Sequence, residues 1–230
     1  MMIRLLAEAF SAFVADWSSM ILILALLSVG LGNIVALAQT NLKRLLAYSA
    51  IAHIGYFLLG IVSGTAAGYS AAMFYIIVYG VMTVAGFGIV IFMSTEGRDY
   101  EEISDLRGMG RYHPWDAFLF SIVMVSMAGI PPFLGFWPKL EIFRQLIING
   151  FVWQAVVAIA FSVVGLFYYL KVIKEMFFAE ANQSPPITHS RSMKIAISIN
   201  CLLLLVLGLA PNGLFQYWLN AFSSLSERSL

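Results

Sequence analysis

A lysine set in a broken apolar stretch is the first place in this chain where residue types and spacing suggest chemistry. The stretch reads Ser126-Met127-Ala128-Gly129-Ile130-Pro131-Pro132-Phe133-Leu134-Gly135-Phe136-Trp137-Pro138-Lys139-Leu140-Glu141. Pro131, Pro132 and Pro138 each lack the N–H of a helical hydrogen bond, and their rings clash with earlier carbonyls. Gly129 and Gly135 flank the break. In lipid, non-helical backbone survives only inside protein or beside water. Discontinuous helices of this kind place ion and substrate sites near the midplane of transporters. Residues 117–130 reach ~21 Å at ~1.5 Å per residue, which sets the break deep in a bilayer and Lys139 just beyond it. Such a lysine either belongs to an ion or substrate site or is an anchor snorkelling to the far interface beside a proline kink. Spacing alone leaves both open.

A second constellation lies upstream: Lys43, Arg44, Tyr48, Ser49, His53 and Tyr56. Ser49, His53 and Tyr56 fall at i, i+4 and i+7, one polar stripe on a helix. His53 sits about halfway along its apolar run, where an ionisable group is a functional candidate by default. The alternative is a neutral histidine hydrogen-bonded across a helix contact, and Lys43-Arg44 reads equally as an interfacial anchor. Other positions carry less. Glu141 and Arg144 are spaced to pair on a helix surface. Tyr168-Tyr169 with Lys171 and Lys174 reads as an aromatic and basic belt at the cytoplasmic interface. Gly80, Gly86 and Gly88 read as close helix packing. Gly108-Met109-Gly110 lacks the strand and the further glycines of a nucleotide fingerprint.

The elements that must hold these residues are membrane helices. Apolar residues make up 61% of the 230-residue chain and charged residues 11%, and mean hydropathy is +0.88. Soluble domains average ~45–50% and ~25%, so this chain has too little polar surface to cover a globule. One cysteine, Cys201, allows no internal disulfide or cysteine-ligated cluster, and a net charge of +1 offers no basic stripe for nucleic acid. Six runs reach the ~20 apolar residues of a span: 18–38, 42–62, 70–93, 117–148, 152–178 and 195–218. The expected fold is therefore all-α and polytopic, about six transmembrane helices in a single domain over 18–219, with the 117–148 helix discontinuous at Pro131-Pro132. Residues 1–17 are expected to form an interfacial helix or a helix remnant. Glu8 and the poor cleavage site Phe13-Val14-Ala15 argue against a signal peptide. Residues 220–230 are a tail. Pro185-Pro186 stops the fifth run.

Alternating spans collect Lys43, Arg44, Arg98, Arg107, Arg111, Lys171, Lys174, Arg191 and Lys194 on one side, and only Arg4, Arg144 and Arg228 on the other. Basic residues are held in the cytoplasm. The loop after the third run is therefore expected to be cytoplasmic and both termini periplasmic, or the organellar equivalent.

The stretch Gln39-Thr40-Asn41-Leu42-Lys43-Arg44-Leu45-Leu46-Ala47-Tyr48-Ser49-Ala50-Ile51-Ala52-His53-Ile54-Gly55-Tyr56 strongly resembles the QTN-KR-LAYSSI-H-GY segment of the antiporter-like subunits of respiratory complex I. Ala128-Gly129-Ile130-Pro131-Pro132, Gly135-Phe136, Lys139 and Gly165-Leu166-Phe167-Tyr168-Tyr169-Leu170 resemble the subunit N branch of that family. The proline pair and a lysine rather than a glutamate after the break favour this branch over its two relatives. The resemblance runs from about Arg4 to Glu180 and is looser in the last helix.

That resemblance implies a proton-translocating membrane subunit of an NADH–quinone oxidoreductase. Members carry two inverted repeats of helices, each with a broken helix and a central lysine. The six runs resemble the second repeat plus the final helix. Lys139 then matches the terminal lysine, and Lys43 and His53 match a polar axis. No cofactor is implied in this chain; NADH, FMN, iron–sulfur clusters and quinone would lie on partner subunits. The first repeat would lie upstream, so a C-terminal half is implied: a fragment, an alternative start or one part of a split subunit. Implied partners are the other membrane subunits, the missing repeat if split, the lipid bilayer and protons; the implied location is the bacterial inner membrane. Rival readings are a subunit of a cation/proton antiporter or membrane-bound hydrogenase, and a non-pumping scaffold.

Overall fold

The computed structural model describes residues 2–94, 100–180 and 191–210. Among the described residues seven long helices carry the fold: α1 (Val14–Leu37), α2 (Leu42–Ile61), α3 (Ala66–Met93), α4 (Pro114–Ala128), α5 (Phe136–Ile148), α6 (Val152–Phe178) and α7 (Arg191–Leu209). Five of the crossings are helices long and apolar enough to span a membrane, and the α4–α5 pair supplies a broken sixth. The protein is thus an all-α, multi-pass membrane fold, as its apolar runs imply.

Helix boundaries follow local chemistry rather than hydropathy alone. The third crossing begins at Ala66, four residues before its apolar run, because the Thr65 side chain accepts from Gly68 N at 3.1 Å and caps it. The side chain of Asn41 caps α2 by accepting from Arg44 N at 3.0 Å. Pro114 opens α4 at its first position, where no N–H is needed. The first crossing starts at Val14, earlier than Ser18. Before it, Met2–Arg4 is helical, Leu5–Ala9 is a π turn and Ser11–Phe13 a 3-10 turn. The 117–148 run is two helices, Pro114–Ala128 and Phe136–Ile148. The last crossing is helical over Arg191–Leu209 among the described residues; positions 211–218 of its run, the 220–230 tail, Pro185-Pro186, Arg98 and Arg228 lie outside them.

The two ends of the bundle are distinct. At one, the loop after α3 folds onto the α1–α2 turn through an antiparallel bridge between Asn41 and Glu102. Leu42 N donates to Glu101 O at 2.6 Å and Ile103 N to Thr40 O at 2.8 Å. Lys43 and Arg107 pair there with Glu101 and Glu175 at 3.0 and 2.9 Å. At the other end Leu6, Ile61, Val62 and Tyr69 form a satellite cluster with Phe151. That arrangement makes α4 and α5 together a single crossing.

Close packing falls at different glycines from those expected. A Cβ on Gly32 would stand 2.6 Å from Ala52 N, and one on Gly55 2.8 Å from Ala25 O, so α1 and α2 meet backbone to backbone. Gly86 does face a neighbour, Met127, at 3.2 Å, and Gly88 only touches Ile197 at 3.7 Å. Gly80 faces open space among the described residues. It sits on the exposed side of α3, where no described residue packs against it.

Candidate proton-transfer site

The break is built by its own sequence and closed by the last crossing. Gly129 ends α4 at φ +82°, a left-handed conformation that glycine adopts without Cβ strain. Its N–H still donates to Val125 O and Ser126 O, at 3.2 and 3.0 Å. Beyond it, Pro131-Pro132 removes two donors; Phe133 N and Phe136 N bond within the break, to Ile130 O and Phe133 O at 3.1 Å each, and the other donors reach α4 and α7. Gly135 N donates to Ser126 Oγ at 3.1 Å. Leu134 N donates to Leu204 O at 2.9 Å, and Trp137 Nε1 to Gly208 O at 2.9 Å. Both acceptors lie on α7. Gly135 and Gly208 admit this contact because a Cβ on either would overlap carbonyl oxygens, of Ser126 and Pro132 respectively. Pro138 is buried within the first turn of α5.

Lys139 reaches back across the break. Its Nζ donates to Met127 O at 2.9 Å, to Ala128 O at 3.0 Å and to Ser162 Oγ at 3.4 Å. The side chain is buried, at 6% exposure, so it does not snorkel to an interface. The α4 C-terminus, with orphan carbonyls and the negative end of its dipole, receives the ammonium. No acidic side chain pairs with it among the described residues. The Tyr56 ring lies beneath it, 5.3 Å from Nζ to centroid. A proton held here is thus stabilised by dipoles and the Tyr56 ring face, and neither it nor a neutral amine would break an ion pair among the described residues.

The polar stripe of α2 is real and buried. Ser49, His53 and Tyr56 are each 2% exposed or less. His53 Nδ1 is 2.7 Å from the Tyr75 hydroxyl and Nε2 is 3.1 Å from that of Tyr169. Tyr169 in turn donates to Ser49 Oγ at 2.9 Å. Tyr79 stacks on the imidazole, with centroids 4.5 Å apart. The stripe also approaches Lys139: Ser162 and Asn33 sit beside the Tyr56 hydroxyl, Tyr168 donates to Asn33 Oδ1 at 3.2 Å, and the rings of Tyr168 and Tyr169 lie 4.4 Å apart. Lys139, Ser162, Tyr56, Asn33, Tyr168, Tyr169 and His53 therefore line one polar file through the bundle.

Other expected residues are placed differently. Lys43 lies at the polar end of α2, its side chain 40% exposed and paired with Glu101, apart from the file. Tyr168 and Tyr169 are buried, at 1% each, and belong to the file rather than to an interfacial belt. The helix that carries them turns them inward, while Lys174 points out and Lys171 donates to Gln39 O at 3.3 Å. Glu141 does pair with Arg144, at 3.5 Å, and also accepts from Gln145 at 2.7 Å. Asn33, Tyr75, Tyr79 and Ser162 are members that sequence reasoning passed over. Asn33, an amide inside a leucine-rich helix, and Tyr75 and Tyr79, one turn apart, were the available signals. Among the described residues no group of His, Cys, Asp and Glu is arranged to hold a metal ion.

A family model described as NADH:quinone oxidoreductase/Mrp antiporter, TM matches residues 1–167. The chain is 43% identical over 220 residues to NADH-quinone oxidoreductase subunit N of Thioalkalivibrio sulfidiphilus, covering 96% of this chain and 46% of that one. Among solved structures it is similar to a chain of respiratory complex I from Thermus thermophilus, with TM-score 0.74 and 34% identity over 84% of this chain and 44% of that one. A chain of the Mrp complex from a Dietzia species shares the fold, with TM-score 0.82 at 21% identity over 97% of this chain and 50% of that one. The chain spans about half the length of the curated relatives it matches. With its broken α4–α5 crossing, its buried Lys139 and the match over residues 1–167, the chain belongs to the NADH:quinone oxidoreductase/Mrp antiporter transmembrane family.

Proposed function

We propose that this chain is a proton-translocating part of the membrane arm of an NADH–quinone oxidoreductase, in the position of subunit N. Electron transfer, with its NADH, flavin, iron–sulfur clusters and quinone, belongs to partner subunits, and this chain moves protons in response. Lys139 is the proton-loading group, His53 a relay, and Lys43 the exposed entrance end of the axis. Its partners are other membrane subunits of that complex and the surrounding lipid. It resides in the bacterial inner membrane, with the Lys43–Glu101 end cytoplasmic and the N-terminal segment periplasmic.

One observation carries the reading: a lysine buried at a helix break, held by three uncharged oxygens. A charge near mid-membrane costs ~2.5–3.5 kcal/mol on insertion scales, and such groups mark ion pathways. Here no acid among the described residues neutralises it. The antiporter reading shares the fold, since the likeness to the Mrp chain covers 97% of this chain. The higher identity to chains named subunit N favours the oxidoreductase.

Lys139→Met in the assembled complex tests it. The variant keeps side-chain length but holds no proton. NADH-driven acidification of inverted membrane vesicles should fall sharply at normal complex content. Lys139→Arg should also fail, because arginine stays protonated and its five N–H groups exceed the three acceptors present. Wild-type pumping in both variants would refute the proposal.

A further inference from the structure

The hydrogen bonds around His53 have a direction. Tyr169 donates its hydroxyl proton to Ser49 Oγ. A hydroxyl has one proton to give, so the Tyr169 oxygen must accept from His53, and Nε2 carries the ring N–H. A neutral imidazole has one N–H only, which leaves Nδ1 to accept from Tyr75 at 2.7 Å. No acidic side chain contacts the ring among the described residues. The polarity thus runs Tyr75, His53, Tyr169, Ser49, from α3 through α2 and α6 and back to α2.

Tyr79 restrains the centre of this chain. Its ring lies 4.5 Å from the imidazole and nearly parallel, at 18°. Turning the imidazole about its Cβ–Cγ bond would swing its edge into the Tyr79 face and break both nitrogen hydrogen bonds. The ring therefore transmits a proton across itself far more readily than it turns over.

We infer that Tyr75, His53, Tyr169 and Ser49 form a single-shot proton relay, in which both tyrosine hydroxyls are transfer groups and Tyr79 governs the reset. This deepens the proton-translocating reading of the chain and rests on it. In one transfer an incoming proton bonds to the Tyr75 oxygen as the original Tyr75 O–H breaks and delivers its proton to Nδ1. The Nε2–H bond breaks and its proton goes to the Tyr169 oxygen. The former Tyr169 proton passes to Ser49 Oγ, and the Ser49 proton leaves to the next acceptor. One proton enters, one leaves, and no electron moves. His53 is left as the Nδ1–H tautomer with the chain polarity reversed. A second proton in the same direction must wait until the ring turns and the hydroxyls rotate. The stack with Tyr79 makes that reset slow, so the relay blocks passive leak between strokes.

The test uses the assembled complex in inverted vesicles, with NADH oxidation, pumping and resting proton leak measured per assembled complex. Tyr169→Phe keeps the ring and removes the hydroxyl. Its pumping should fall by ~10²-fold, the lower end of what a positioned proton-transfer group contributes. Ser49→Ala leaves His53 and both rings in place and should slow pumping in the same sense, which decides the matter if Tyr169→Phe fails to assemble. Tyr79→Leu should raise the resting leak while a merely structural tyrosine would lower complex content instead. Wild-type pumping in both Tyr169→Phe and Ser49→Ala, with Lys139→Met inactive, would overturn the relay and leave the parent reading standing. An unchanged leak in Tyr79→Leu would overturn its gating role. Wild-type pumping in Lys139→Met would remove the parent reading itself.

Discussion

Substituting Gly129 by alanine perturbs the lysine site from the backbone side. Two effects add. The residue sits at φ +82°, where a side chain costs ~1–2 kcal/mol. The new Cβ would also stand 2.8 Å from Lys139 Cδ and 3.1 Å from Nζ, against ~3.5–4.0 Å for unstrained carbon contacts. The lysine stem must retreat by roughly 1 Å, which removes Nζ from hydrogen-bond range of at least one of its two carbonyls. A hydrogen bond to a charged group contributes ~1.5–3 kcal/mol. The summed destabilisation is then ~2.5–5 kcal/mol. Gly150 provides the control, because its φ is +83° and a Cβ there meets nothing within 4 Å. Gly150→Ala should show the ~1–2 kcal/mol backbone cost alone. Thermal denaturation of the solubilised complex, with pumping assayed in parallel, reads both. A misplacement of ~1 Å at a reacting group can cost ~10²-fold in rate, so Gly129→Ala should also pump poorly while Gly150→Ala pumps normally. Equal stability and equal pumping in the two variants would refute the view that Gly129 holds space for Lys139.

Two further outcomes follow from the clasp and from the basic asymmetry. Gly208→Ala drives a methyl group into Pro132 O and Leu134 N, so α7 must move away from the break; limited proteolysis or thermal denaturation should show a looser last crossing, and wild-type behaviour would argue against the clasp. Ser104→Cys in a Cys201→Ser background, with the exposed Ser104 in the loop after α3, should react with an impermeant thiol reagent only from the cytoplasmic side; labelling from the periplasm would invert the proposed topology.

The crossings were legible because each needs only a long apolar stretch, and the break because Pro131 and Pro132 cannot continue α4 for a local reason, while Pro138 fits the first turn of α5. The stripe of Ser49, His53 and Tyr56 was legible for the same reason, one helix and one period. What faces that stripe was not. Tyr168 and Tyr169 are adjacent to the basic pair Lys171 and Lys174, and hydropathy assigns such a group to an interface. Only the rotation of α6, fixed by its contacts with α1 and α4, turns both hydroxyls inward. Lys43 shows the converse. It shares a helix with His53, but ten residues place it about 15 Å along the axis, beside Glu101 instead of in the file. Gly80 shows the same limit, since spacing marks a small-residue face without revealing which neighbour covers it, and no described residue does.

The clasp between the break and α7 has a consequence for biosynthesis. Leu134 N–H and the Trp137 indole find their acceptors on Leu204 and Gly208, in α7, which is made after the break. Some 56 residues separate Ile148 from Leu204. At ~5–20 residues per second the ribosome needs ~3–11 s to supply them. For that interval the half-helices are in or near the bilayer with donors that lipid cannot satisfy. Insertion of the lysine-bearing crossing is then complete only when α7 arrives, which makes translation order part of how the site is assembled.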